Sequence, residues 1–159
     1  MCKEFPCVYP NNLLDLIVAD GAEEKPIEVF RICRNGTVNR DSFVSSIQDP
    51  YRKIKDKEFV NRDSILWHIN SDVDIGMYST SCFESLKDAI RVFGMMVQST
   101  PKQIVAKGIT DPSCGLSMRT KDSKSHRRFS GTHVDWWLYK DAKPELFFRE
   151  FSLEREMNK

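Results

Sequence analysis

Polar side chains stand inside otherwise apolar segments at three places in this sequence of 159 residues. Arg31 lies in VFRIC, the segment Tyr78-Ser79-Thr80-Ser81 follows Gly76, and Asp135 lies in HVDWWLY. A charge inside a strand costs free energy unless it is paired, hydrogen-bonded or facing a cleft. If the strands that carry them are neighbours, we expect Arg31, Tyr78 and Asp135 to converge on one cleft. The alternative for each is structural: a surface ion pair for Arg31, a core position for Tyr78 and an edge-strand charge for Asp135.

Several common catalytic and metal-binding patterns are absent from the sequence. It has no Walker loop, no dinucleotide glycine fingerprint and no GxSxG nucleophile elbow. His68, His126 and His133 lack metal-ligand spacing with cysteine or acid, so no metal is predicted. A cysteine and a histidine that meet only in space can still form a nucleophile pair, so a Cys/His hydrolase stays an alternative.

Charge and cysteine usage narrow the class of protein. The 24 basic and 23 acidic residues give a net charge of +1, so no overall field directs the chain to nucleic acid or membrane. Five cysteines without a CxxC pair indicate free thiols and a reducing cytoplasmic compartment. The N-terminus lacks a signal-peptide core, and no apolar run approaches the roughly 20 residues that span a bilayer. We expect a cytoplasmic protein with no membrane contact and a single domain over 1–159, with its core at 11–151.

Hydrophobic periodicity predicts an α+β fold with a mixed, mostly antiparallel sheet and one or two main helices. Helices are expected at 11–19, after Asn39, and after a capping box at Ser81–Glu84 whose helix carries Phe83. Strands are expected at 27–33, 74–79, 103–109, 133–139 and 146–151.

Residues 110–132 predict a long basic loop with many small and polar residues. A loop of over twenty residues in a compact domain is usually functional or disordered. The alternative is a solvated tip without a partner. The cationic residues of this loop are Arg119, Lys121, Lys124, Arg127 and Arg128.

Three segments resemble motifs of the ADP-ribosyltransferase superfamily, particularly its toxin-like and poly(ADP-ribose)-polymerase-like catalytic domains. The strand around Arg31 resembles the first motif, and Gly76–Ser81 with the following helix resembles the second. The strand that bears Asp135 after a polar loop resembles the last motif, where the family usually has glutamate. The resemblance spans residues 27–151 and implies a split-sheet fold.

The resemblance also implies an activity: transfer of ADP-ribose from NAD to a protein or nucleic-acid acceptor, as in a toxin, without a metal. Aspartate is one methylene shorter than glutamate, which favours a second possibility, a non-catalytic module that binds a nucleotide or a partner in the same cleft. The basic residues of 110–132 would meet an acidic acceptor. The implied catalytic residues are Asp135 and Tyr78, and the implied NAD-binding residues are Arg31, Ser79, Thr80 and Trp137.

Overall fold

The computed structural model describes residues 3–50, 74–93, 102–125 and 131–152. They form an α+β fold with one six-stranded antiparallel sheet and two α-helices, which confirms the predicted class. The strands are β1 (Glu28–Cys33), β2 (Thr80–Phe83), β3 (Ile104–Ile109), β4 (Gly115–Arg119), β5 (His133–Leu138) and β6 (Phe148–Phe151). The α-helices are α1 (Leu13–Asp20) and α2 (Leu86–Phe93), and 3₁₀ helices cover Arg40–Phe43, Ile75–Tyr78, Thr120–Asp122 and Pro144–Phe147. Within the described ranges, none of these helices has the length and apolar content that crossing a membrane requires.

The strand order is β4-β5-β2-β1-β3-β6, and the sheet is split between its two central strands. β1 is in register with β3 along its whole length, from Glu28 opposite Ile109 to Cys33 opposite Ile104. With β2, in contrast, β1 shares the single register pair Phe30–Phe83.

Most elements appear where local composition predicts them. The strands expected at 27–33, 103–109, 133–139 and 146–151 are β1, β3, β5 and β6, and the helix expected at 11–19 is α1. Leu13 and Ile17 of α1 are buried, whereas Leu14 and Val18 are exposed. The helix ends at Gly21, whose φ of 119° is a conformation that glycine adopts without steric penalty.

The capping box predicted at Ser81–Glu84 is wrong. Ser81 and Phe83 lie in β2, because this segment pairs with β5 instead of starting a helix. The helix begins at Leu86, and the Asp88 N–H lies 3.3 Å from the Ser85 hydroxyl oxygen. The local capping signal was overridden by a strand partner about fifty residues further along the chain.

Two other predictions need correction. The segment predicted as a strand at 74–79 contains the 3₁₀ helix Ile75–Tyr78, and the Asp74 carboxylate accepts the Gly76 N–H at 3.1 Å. This short-range bond favours a turn over an extended chain. The helix predicted after Asn39 is limited to the 3₁₀ helix Arg40–Phe43. Residues 51–73 lie outside the described ranges.

Large aromatic side chains fill the interior on one side of the sheet. Trp136 of β5 packs against Phe148 with ring centres 5.7 Å apart and against Phe43 at 6.3 Å. Phe43 and Phe148 are themselves 4.8 Å apart. Such pairs contribute about 0.5–1.5 kcal/mol each beyond the burial of their area, so this cluster fixes β5 and its neighbours in place.

Candidate functional site

The three motif segments lie on three consecutive strands. Arg31 is in β1, Thr80 and Ser81 are in β2, and Asp135 is in β5, in the spatial order β5-β2-β1. Ser81 is directly opposite Asp135 in register. The strands that carry the arginine and the aspartate are therefore separated by a single strand.

The arginine and the aspartate nevertheless project from opposite faces of the sheet. Residues opposite each other share a face, and successive residues of a strand alternate. Phe30 is opposite Phe83, and Phe83 is opposite His133, so these three side chains share one face. Asp135 is two residues beyond His133 and lies on that face, whereas Arg31 follows Phe30 and lies on the other. The predicted convergence on one cleft is therefore wrong.

Arg31 braces the split of the sheet. Its guanidinium donates from Nε to the Ser42 carbonyl at 3.0 Å, from Nη1 to the Ser81 carbonyl at 2.9 Å and from Nη2 to the Val44 carbonyl at 3.4 Å. The bond to Ser81 joins β1 to β2 beyond their register pair. A guanidinium has five N–H donors, so two more can reach a ligand.

Asp135 is buried, with 1% of its surface exposed, and both of its carboxylate oxygens meet hydroxyls. Oδ1 lies 2.8 Å from Ser79 Oγ, and Oδ2 lies 2.7 Å from Thr120 Oγ1. Ser79 directly precedes β2, and Thr120 directly follows β4. Hydroxyls from two separate segments thus fix the orientation of the carboxylate.

A histidine extends this group of polar residues, and sequence reasoning missed it. His133 is buried on the same face as Asp135, and its Nδ1 lies 2.5 Å from Thr120 Oγ1. The sequence did carry one signal, because residues at 133 and 135 of one strand must share a face. Nothing in the sequence linked Thr120 to them.

Three of the implied ligand contacts lie in the packed interior. Tyr78 is buried against Tyr9, with ring centres 5.0 Å apart. Thr80 donates to the Phe43 carbonyl at 2.6 Å, and Trp137 donates from Nε1 to the Ile75 carbonyl at 2.9 Å. Buried hydroxyl and indole groups with backbone partners serve packing, which weighs against the NAD contacts implied for Thr80 and Trp137.

The predicted basic loop at 110–132 is wrong in its first half, because it contains β4 and the 3₁₀ helix Thr120–Asp122. Arg119 ends β4, and its guanidinium pairs with Glu84 at 2.6 Å from Nε to Oε1. Lys121 and Lys124 are exposed, as an acceptor contact requires. Arg127 and Arg128 lie outside the described residues.

A polar pocket of about 390 Å³ lies on the Arg31 side of the sheet. Arg34 Nη1 lies 3.3 Å from Asp49 Oδ2 within it, and the lining carries two arginines and two aspartates. Neither Asp135 nor Tyr78 contributes to it. Its lining residues are Arg31, Arg34, Asn35, Asp41, Ser42, Val44, Gln48, Asp49 and Pro50.

The buried thiols do not favour cysteine chemistry. Burial raises the pKa of Cys82 to about 12 and raises the pKa of Cys33 and of Cys114 above the usual value of a thiol. A thiol with a raised pKa supplies little thiolate at neutral pH, which weighs against the Cys/His hydrolase alternative for these three residues. His68 and His126 lie outside the described residues, and the described part of the chain has no cluster of three metal-ligating side chains.

Comparison of the chain with protein-family models, with curated proteins and with solved structures finds no match.

Proposed function

We propose that this protein is an ADP-ribosyltransferase-like enzyme that uses NAD and transfers ADP-ribose to a macromolecular acceptor. The observation that carries the proposal is the hydrogen bond of 2.8 Å between Ser79 and Asp135 beside the split of the sheet. It joins the second and third segments of the family resemblance, which are 56 residues apart in the chain. The first segment contributes through Arg31, whose bond to the Ser81 carbonyl braces the same strand.

The chemistry follows from where charge develops. As the bond between C1′ of the ribose and the nicotinamide nitrogen breaks, the ribose becomes oxocarbenium-like and nicotinamide leaves with the bonding electrons. A carboxylate beside that centre stabilises the positive charge and orients the incoming nucleophile. In this proposal the carboxylate is Asp135, which Ser79 and Thr120 hold in one orientation. Because Asp135 is 1% exposed, NAD reaches it only when the segments packed around it open.

The roles of the other motif residues change with the geometry. Arg31 supports β2 through the Ser81 carbonyl and does not share a face with Asp135. Lys121 and Lys124 are exposed in the segment that follows β4, close in sequence to Thr120, and there they would meet an acidic acceptor.

A second candidate, nucleotide binding without turnover, is favoured by the pocket beside Arg31. The volume of this pocket, about 390 Å³, falls in the range of small-molecule sites. The two remaining donors of Arg31 and the guanidinium of Arg34 suit a diphosphate, while Asp41 and Asp49 suit a cationic ring. Such balanced lining charges suit NAD, which carries both signs, better than a nucleoside triphosphate.

The decisive experiment follows nicotinamide release from NAD by the purified chain, alongside NAD binding by calorimetry. We expect release by the wild type and a loss of about a hundredfold or more in Asp135→Asn, the size of effect seen when transition-state charge stabilisation is removed. Asp122→Asn, which changes an exposed carboxylate, is the matched control and retains full activity. Circular dichroism verifies that each variant is folded.

The other outcomes separate the two candidates. Binding without release, weakened by Arg34→Gln and indifferent to Asp135→Asn, would support the binding module and refute the enzyme. If the chain neither bound NAD nor released nicotinamide, both candidates would be refuted.

A further inference from the structure

A buried hydroxyl connects the carboxylate of Asp135 to a histidine on the same strand face. Thr120 Oγ1 lies 2.7 Å from Asp135 Oδ2 and 2.5 Å from His133 Nδ1. All three residues are at most 4% exposed. None of the motif segments in the sequence includes Thr120.

The number of protons at Thr120 fixes the direction of these bonds. A threonine hydroxyl has one hydrogen to donate and two lone pairs, and an ionised carboxylate only accepts. The Thr120 hydrogen therefore points to Asp135, and the Thr120 oxygen accepts from His133. It follows that His133 carries a hydrogen on Nδ1.

Thr120 also connects the carboxylate to the basic segment that follows it. Thr120 opens the 3₁₀ helix Thr120–Asp122, and the next residues are tied to the end of α1. Ser123 Oγ donates to Asp20 Oδ2 at 2.6 Å, and the Ser125 N–H donates to Asp20 Oδ1 at 2.7 Å. The exposed Lys121 thus lies between Thr120 and Ser123, whose side chains are held by hydrogen bonds, and Thr120 contacts Asp135.

We infer that Thr120 is a positioning residue for the reaction proposed above: it orients the Asp135 carboxylate and couples it to the basic acceptor segment. The inference rests on the proposed function. Ser79 restrains Oδ1 and Thr120 restrains Oδ2, so removal of the Thr120 hydroxyl removes the restraint on Oδ2. A misplacement of about 1 Å at a reacting group can cost about a hundredfold in rate.

The test compares Thr120→Val, which keeps the shape and removes the hydroxyl, with Thr120→Ser, which keeps the hydroxyl. We expect Thr120→Val to lower kcat for nicotinamide release by about a hundredfold with little change in KM for NAD, and Thr120→Ser to restore kcat. If Thr120→Val does not fold, Thr120→Ala replaces it. A kcat in the hydroxyl-free variant equal to that of the wild type, or an effect confined to KM, would overturn the inference.

A second readout does not depend on turnover. Nitrogen-15 NMR of the imidazole reports which nitrogen of His133 is protonated. We expect Nδ1–H in the wild type and in Thr120→Ser, and loss of that fixed tautomer in Thr120→Val. If the wild type releases no nicotinamide, the proposed function and the catalytic role of Thr120 both fail, and the NMR result separately decides whether the hydrogen-bond chain exists. A wild-type His133 protonated on Nε2 alone would overturn the chain even in an active enzyme.

Discussion

Replacing Arg31 by methionine measures how much the bracing of the split contributes to stability. Methionine keeps an unbranched side chain and removes every donor, so the carbonyls of Ser42, Val44 and Ser81 lose their guanidinium partner. Hydrogen bonds to a charged group contribute about 1.5–3 kcal/mol each, and the two bonds near 3 Å dominate. Burial of the methionine side chain returns about 1.5–3 kcal/mol. The net loss in the free energy of unfolding is therefore about 1.5–3 kcal/mol.

This loss is measured by urea unfolding followed by circular dichroism, with a constant slope required for a valid comparison. In a chain of this size it lowers Tm by roughly 3–12 °C. Arg149→Met, which alters an exposed arginine on β6, is the matched control and changes stability by less than about 0.5 kcal/mol. If Arg31→Met were as stable as this control, Arg31 would not brace the sheet, and a direct ligand role would become the better interpretation.

Three further predictions concern packing, alkaline pH and thiol reactivity. Gly108→Ala puts its Cβ 2.2 Å from the Phe147 carbonyl oxygen, so the melting experiment should show a loss of about 1–3 kcal/mol, and an unchanged Tm would contradict this close packing. Burial raises the pKa of Tyr78 from 10.0 to about 12. The contribution of Tyr78 to stability is therefore full below pH 10.0 and is lost as the pH rises through about 12. Melting experiments should show that Tyr78→Phe removes this part of the alkaline destabilisation. Because the pKa of Cys82 is raised to about 12, an alkylating reagent should label the exposed Cys7 and spare Cys82 in the folded protein, as read by peptide mass spectrometry. Rapid labelling of Cys82 would contradict its burial.

The sequence predicts strands well where the chain's own composition determines them. β1, β3 and β5 are rich in branched and aromatic residues, and each was expected within one residue of its observed start. β2 and β4 were missed because distant partners decide them. Ser117 of β4 looked like a loop residue, but its hydroxyl donates to the Lys25 carbonyl at 2.9 Å, 92 residues away in the chain. A polar side chain satisfied by such a partner carries no local signal of burial.

The strands that carry the candidate site were predictable from the sequence, but the sheet face on which each side chain lies was not. The segments around Arg31 and Asp135 were each predicted to be strands, and they are β1 and β5, which β2 separates in the sheet. Which side each residue points to depends on register, and a shift of one residue reverses it. Register between β1 and β2 is set by the single pair Phe30–Phe83, which no pattern in the sequence specifies.

The burial of the Asp135 carboxylate bears on the choice between the two candidate functions. Burying a charge costs several kcal/mol, which its hydrogen bonds must offset. Both hydroxyls also have other partners, since Ser79 Oγ lies 3.0 Å from the Gly76 carbonyl and Thr120 Oγ1 lies 2.5 Å from His133. Removal of the carboxylate would leave the Ser79 hydroxyl with the Gly76 carbonyl as its acceptor, but the Thr120 hydrogen without one. A carboxylate buried at this cost is found mainly at sites of chemistry, and this favours the enzyme. The binding module has no use for a buried acid on the far side of the sheet from its pocket.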